Sequence, residues 1–168
     1  MKKIFFITAL IAGMAVQAQV STTRINDVKL GMSKTELEKV IGQKIRLKLD
    51  ENGYPDGETT FVSKGVTYRI YFNSYDENNV YKIYSIKSSD SSLKTLSGIK
   101  IGSTLDELLS KYKDLNISVY DGYDEKAEKR SKTTRYFQVE DYDAGTVLQF
   151  DLVNGKVTMF NVYYNEGC

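Results

Sequence analysis

The chain contains no histidine, no tryptophan and a single cysteine, Cys168, which is its last residue. Without histidine there is no Ser-His-Asp or Cys-His nucleophile and no imidazole metal site. Without a second cysteine there is no intramolecular disulfide. In an oxidising compartment Cys168 could form an intermolecular disulfide, a Cys168-linked dimer among them, and its alternative is a frayed terminal residue. Charge of one sign is also lacking. Twenty-three basic residues face 22 acidic ones and the two kinds are interspersed, so no broad attraction to nucleic acid or anionic membrane is expected. No apolar run reaches the roughly 20 residues that a spanning helix needs.

The longest apolar run, Ile4 to Val16, follows Lys2 and Lys3 and precedes Val16-Gln17-Ala18, with small residues at the positions a signal peptidase reads. Residues 1–18 are therefore expected to be a signal peptide, cleaved before Gln19. No cysteine follows the run to accept a lipid anchor. The expected product is periplasmic or secreted, with no integral membrane segment after cleavage. Loss of the two lysines turns the formal net charge from +1 to about −1. A chain of roughly 150 residues can bury a sizeable core, whereas half of it would be marginal alone.

What is present is a grammar used twice. Ser33 stands at an N-cap position with Glu36 three residues on, a capping box; Met32 and Leu37 have the spacing of a hydrophobic staple, and Gly42 supplies a left-handed stop. Leu37, Val40 and Ile41 form an apolar stripe. Thr104 and Glu107 repeat the box, with Leu105, Leu108, Leu109 and Tyr112 at helical spacing, though Ser103 replaces the staple methionine. Each cap contributes about 1 kcal/mol, enough to place a short helix start but not to stabilise the helix alone.

Strand-period segments follow each helix. Ile45, Leu47 and Leu49 alternate with basic residues, as Leu115, Ile117 and Val119 alternate with polar ones. Further strands are expected over Thr59 to Ser63, Gly65 to Asn73 and Val80 to Lys87, and over Thr134 to Val139, Gly145 to Val153 and Lys156 to Tyr163. Turns are expected at Asp50 to Tyr54, Asp76 to Asn79, Asp121 to Tyr123 and Asn154-Gly155. The charged segment Asp124 to Lys132 lacks an apolar stripe and reads as a mobile loop. The expected fold is α+β: two tandem helix-plus-four-strand repeats, residues 19–89 and 90–168, forming one concave antiparallel sheet of eight strands with helices on one face.

The motif Val28-x-Leu30-Gly31-Met32-Ser33-x-x-Glu36-Leu37-x-x-x-Ile41-Gly42 resembles the opening of the BamE/SmpA-OmlA family, and the tandem arrangement resembles the β-lactamase inhibitory protein fold. The resemblance implies a concave sheet that grips a partner protein, or a role in outer-membrane assembly. Two departures stand out: no lipobox cysteine, and no tryptophan for a binding face.

Thirteen tyrosines, several in expected strands, suit both sheet formation and protein interfaces. Alternation and equivalence between the repeats select a candidate open-face patch of Arg69, Tyr71, Tyr84, Tyr136, Gln149, Asp151 and Phe160. In the last strand of each repeat Tyr81 and Ile83 compete with Tyr84 and Ile86 for the buried side. Tyr84 and Phe160 are expected on the exposed one. The oxygen-rich run Asp50, Asn52, Asp56 and Glu58 does not have EF-hand spacing and reads as turn chemistry, as do Asp121, Asp124 and Glu125. Glu140, Asp141 and Asp143 could furnish a hydrolase's carboxylate pair, but no spacing selects one. No catalytic residue, metal or cofactor is expected. The reading is an exported, non-enzymatic protein-binding module, with inhibition as one form of it, engaging another exported or envelope protein. Its alternative is an envelope assembly component.

Overall fold

A computed structural model describes residues 19–74, 80–124 and 127–165. The expected signal peptide, the turn at Asp76 to Asn79 and Cys168 lie outside the described residues.

Both helices start where capping chemistry places them. Before α1 (Lys34–Ile41), the Glu36 N–H donates to Ser33 Oγ at 3.3 Å while Glu36 Oε2 accepts the Ser33 N–H at 2.8 Å. Before α2 (Leu105–Tyr112), the Glu107 N–H donates to Thr104 Oγ1 at 3.3 Å and Glu107 Oε2 accepts the Thr104 N–H at 2.6 Å. Gly42 ends α1 in the left-handed region at φ 71° and returns its N–H to the Glu38 carbonyl.

The rest is mostly antiparallel sheet. A two-stranded ladder, β1 (Arg24–Ile25) with β2 (Val28–Lys29), stands apart from one seven-stranded sheet. Its strands are β3 (Thr59–Ser63), β4 (Val66–Ser74), β5 (Tyr81–Ser88), β6 (Ile117–Asp124), β7 (Lys129–Asp141), β8 (Thr146–Val153) and β9 (Lys156–Tyr164). Their order is β3-β4-β5-β9-β8-β7-β6. The expectation of two helix-plus-four-strand repeats is therefore overturned, because the first half contributes three strands to this sheet and the second four. The stretch Ile45 to Leu49 is not a strand despite its alternation. Its backbone is spent elsewhere: the Ile45 N–H donates to Glu38 Oε1 at 2.9 Å, the Asp56 N–H to the Lys48 carbonyl at 2.8 Å and the Asp50 N–H to the Tyr54 carbonyl at 2.8 Å. Leu49 is left exposed.

The likeness between the two halves is local. Gly31 donates to the Ile83 carbonyl at 2.9 Å and Met32 accepts from the Ile83 N–H at 2.9 Å. Gly102 and Ser103 make the same pair of bonds with Val157, at 2.8 Å each. Each helix is thus fixed to one central strand by the turn that precedes it.

β5 and β9 each carry a register irregularity. Tyr71 pairs with Ser85 and Phe72 with Ile83, which leaves Tyr84 as the extra residue; Asp151 pairs with Met159 and Leu152 with Val157, which leaves Thr158. The bulge resets the alternation, so Ile83 and Ile86 both face the core, as do Val157, Phe160 and Val162. This resolves the ambiguity of the last strands and corrects one site residue. Phe160 is 0% exposed and stacks edge-on against Phe150 with centroids 5.6 Å apart, so it belongs to the core and not to the open face.

The core is one cluster on the helix side of the sheet, with Ile70, Phe72, Ile83, Ile86, Phe137, Phe150, Leu152 and Phe160 against Leu37, Leu108 and Tyr112. Tyr112 reaches Phe137 and Phe150 at 6.1 and 5.7 Å and bonds Thr95 Oγ1 through its hydroxyl at 3.0 Å. The α1 stripe is rotated from the expected one: Val40 is exposed, and Glu38 is buried instead. Leu115, in the turn after α2, and Val119, on the outermost strand of the sheet, also face solvent. Of the segment expected as a loop, Asp124 and Lys129 to Lys132 belong to strands, with Tyr123 paired to Arg130 and Asp124 to Lys129, while residues 125 and 126 lie outside the described residues. Backbone pairing needs no apolar stripe when the side chains face water.

Glu38 is 8% exposed, and its carboxylate accepts from Lys34 Nζ at 2.5 Å, from Lys44 Nζ at 3.0 Å and from the Ile45 N–H at 2.9 Å. The Lys34 bond, then the Ile45 N–H and then Lys44 hold its pKa down from 4.5 to about 2. A depressed folded-state pKa contributes stability that is fully present above the unfolded value and lost as pH falls through the folded one. The thermal midpoint of the native chain should fall as pH drops from 4.5 towards 2. Glu38→Gln should lower the midpoint at pH 7 and flatten that slope. Equal acid slopes in the two proteins would show that Glu38 does not carry the effect. A separate urea titration of Phe160→Ala should show a loss of about 3–5 kcal/mol, the cost of emptying a buried aromatic site.

Candidate functional site

Alternation on β4, β7 and β8 places Arg69, Tyr71, Tyr136, Gln149 and Asp151 on the face opposite the helices, because their neighbours Ile70, Phe72, Phe137, Phe150 and Leu152 are in the core. Tyr84 joins them through the bulge. Its ring meets Tyr71 edge-on at 6.3 Å, and its hydroxyl donates to the Tyr164 carbonyl at 3.2 Å. Six of the seven candidate residues therefore share the open face. Among the described residues, no helix or strand packs over it.

The centre of that face is a closed polar ring built on Gln138, Tyr120, Gln149 and Tyr163. Gln138 Nε2 lies 2.7 Å from the Tyr120 hydroxyl, 2.5 Å from the Tyr163 hydroxyl and 2.9 Å from Gln149 Oε1. An amide nitrogen has two hydrogens, so it cannot serve all three. The consistent assignment gives both to the tyrosines. Each tyrosine then passes its own proton to Gln149 Oε1, at 3.3 Å from Tyr120 and 3.2 Å from Tyr163, and that oxygen has two lone pairs to receive them. The Asp151 carboxylate fixes the orientation of the Gln149 amide, and Ser118 agrees with that of Gln138. Ser118 Oγ donates to Gln138 Oε1 at 3.0 Å, and Gln149 Nε2 donates to Asp151 Oδ1 at 2.7 Å.

The electrostatics follow from this enclosure. Burial pushes the Tyr163 hydroxyl up to about 12, and the nearby Tyr120, Asp151 and Glu140 add to it. Tyr120 is raised for the same leading reason. The Asp151 carboxyl is also raised by burial, against the opposing pull of its Gln149 bond and of the Lys87 and Arg69 charges. Arg69 and Lys87 form the basic side of the face. The Arg69 guanidinium donates to Met159 Sδ at 2.7 Å, and Lys87 pairs with Glu58 at 2.5 Å. Across the sheet, Tyr136 stands beside Tyr120 with ring centroids 5.4 Å apart.

Tyr120, Gln138, Tyr163 and Lys87 were not among the expected residues. Alternation around Phe137 and Val139 was enough to find Gln138. Tyr120 required only that the strand expected to stop at Val119 run one residue further. Tyr163 carried no such signal, because its side depends on the bulge at Thr158.

The other carboxylates are committed locally. Asp50 Oδ1 accepts the Asn52 and Tyr54 N–H groups at 2.9 Å each, Asp56 pairs with Lys48, Glu58 pairs with Lys87, and Asp121 pairs with Arg135 at 3.2 Å. Among the described residues no three acidic or cysteine side chains are grouped to hold a metal. Glu140, Asp141 and Asp143 border a hollow of about 410 Å³ at the sheet's rim with Asp114, Thr22 and Tyr142. Asp141 is occupied there by the Thr22 hydroxyl at 2.9 Å and the Ala144 N–H at 3.0 Å, and Tyr142 donates to Glu140, which raises the phenol's pKa. No family model, curated protein or solved structure matches the chain.

The ring predicts its own titration. Tyr163→Phe removes an acceptor from Gln138 and a donor from Gln149, a loss of about 1–3 kcal/mol at neutral pH by urea unfolding. A raised folded-state pKa contributes stability that is present below the unfolded value and lost as pH rises through the folded one, here from 10 to about 12. The native chain should lose stability across that window, and Tyr163→Phe should lose less. A tyrosinate absorbance titration without a late component near 12 would refute the assignment.

Proposed function

We propose that the protein is an exported, non-enzymatic protein-binding module that engages another periplasmic, secreted or envelope protein through the sheet face opposite its helices. The observation that carries this reading is the polar ring of Tyr120, Gln138, Gln149 and Tyr163, flanked by Tyr71, Tyr136 and Arg69 on a face that no described element covers. Tyrosine and arginine are the residue types that supply binding energy at protein interfaces: a rigid aromatic body with a polar tip, and a planar multidentate cation. The ring holds its side chains in place before any partner arrives, which lowers the ordering cost of association. Inhibition of the partner is one outcome of such binding.

The second reading, a component of outer-membrane assembly, rests on the Val28 to Gly42 motif and its likeness to the BamE/SmpA-OmlA opening. It differs in the fraction where the protein is found. Recovery with membranes that withstands high salt favours assembly, and recovery in the soluble fraction favours the free module.

The test is affinity capture from native envelope extract and culture supernatant with the chain and with an Arg69→Glu, Tyr71→Ala double variant. One saturable partner should bind the native chain, and its affinity for the variant should be about thirtyfold weaker, the equivalent of losing one hot-spot side chain. The variant's thermal midpoint should stay within a few degrees of the native value. A partner bound equally by both proteins would move the interface off this face.

A further inference from the structure

The two margins of the sheet are not alike. At the β3 margin the Gln43 side chain donates to the outward Val62 carbonyl at 3.0 Å, and residues 43–46 run beside Thr59 to Val62. At the β6 margin nothing comparable is present among the described residues. The Glu140 N–H donates to the Asn116 carbonyl at 2.9 Å, which sets the phase of the ladder: Asn116, Ser118 and Tyr120 turn their backbone groups towards β7. Ile117, Val119 and Asp121 consequently turn their N–H and C=O groups outward. No backbone or side-chain bond to these six groups is present among the described residues. Val119 is 42% exposed and Tyr120 45%, so apolar surface flanks the open edge on both faces of the sheet.

We infer that β6 is a self-association edge, on which a second copy of this chain adds its own β6 antiparallel across a twofold axis at Val119. The occupant is specified by the edge's own arithmetic. With Val119 opposite Val119 of the second copy, Ile117 falls opposite Asp121 and Asp121 opposite Ile117. All three outward residues then meet outward residues, and the six free backbone groups of each copy are satisfied in one step. The register also brings no like charges opposite one another. The only ionised side chain in the paired stretch, Asp121, faces an isoleucine and keeps its own partner, Arg135, at 3.2 Å. On the open face Ser118 meets Tyr120, extending the polar row that includes Gln138. A slip of the register by one residue would set outward groups against inward ones, and a slip by two would pair only two of the three outward residues of each copy with one another. The result is a continuous fourteen-stranded sheet, twice seven, that leaves both open faces uncovered. This contact does not involve Cys168, and it borders the face assigned to a partner protein at Ser118 and Tyr120 without covering it.

The experiment measures sedimentation equilibrium over a thousandfold range of concentration, using protein expressed from the full-length coding sequence with Cys168→Ser to remove any disulfide-linked dimer. A reversible dimer is expected. Val119→Pro deletes one outward N–H and none that β7 uses, and Val119→Lys places two ammonium groups opposite each other at the axis. Each should weaken dimerisation at least tenfold with little change in the far-ultraviolet spectrum or thermal midpoint. Val119→Cys should cross-link two copies on mild oxidation, because bonded antiparallel pairs hold their Cα atoms about 5.5 Å apart, within disulfide range. Val62→Cys, exposed on the other margin, should not. A monomer at every concentration overturns the inference, and so does a dimer that both Val119 variants leave intact.

Discussion

The fold depends on the ladder between β5 and β9. Among the described residues it is the one strand pairing that joins the three strands of the first half to the four of the second, through Ser85 with Tyr163, Ile86 with Val162, Lys87 with Asn161 and Ser88 with Phe160. Either half would be marginal alone. Pairing at this line brings Ile86, Phe160 and Val162 under α1 and α2 together, and one core forms where two marginal ones would otherwise stand. On the other face the same ladder brings Lys87 beside Asn161 and so unites the basic side of the surface with the polar ring.

The bulges at Tyr84 and Thr158 follow from that joint. The joint-forming ladder covers Ser85 to Ser88 of β5 and Phe160 to Tyr163 of β9, and does not extend to Ile83 or Val157. There the partner is instead the turn before a helix, Gly31-Met32 on Ile83 and Gly102-Ser103 on Val157. Each central strand therefore changes partner along its length, and the extra residue falls at the change. Gly31 is held at φ 74°, a backbone conformation that favours glycine, and a Cβ on it would meet the tip of the Tyr164 side chain at 2.7 Å. The helices sit over the sheet at fixed places because the turns that start them are bonded into it.

These dependencies separate what was legible in the sequence from what was not. Capping boxes are contacts over three residues, so Ser33 with Glu36 and Thr104 with Glu107 could be read directly. Five of the seven face residues follow from alternation in unbroken stretches of β4, β7 and β8. Phe160 failed because a bulge is a property of two paired strands and leaves no mark in either one. The Ile45 to Leu49 alternation failed for a related reason. A period records which side chains could be buried, whereas strand formation also requires a free edge, and this backbone is taken by Glu38 and the Lys48 to Asp56 hairpin. Glu38 itself, on what looked like a polar side of α1, is explained by Lys44 and the Ile45 N–H, which lie beyond the helix.

The chemistry of the open face is set by the need to stay in water without a covering layer. A bare sheet of tyrosines and aliphatic residues would be an aggregation surface. Here Gln138 and Gln149 engage the two tyrosine hydroxyls nearest the centre, and Asp151 anchors one amide in turn. Both amide hydrogens of Gln138, both tyrosine hydroxyl hydrogens and one of the two amide hydrogens of Gln149 have an acceptor within the cluster, so desolvation orphans little of the ring, and a partner placed over it would lose little polar solvation in return for contact with the aromatic rings of Tyr71, Tyr120 and Tyr136. A surface whose central polar groups largely satisfy one another is also one that costs less to bury. That is the physical link between how this sheet remains exposed and what it is proposed to do.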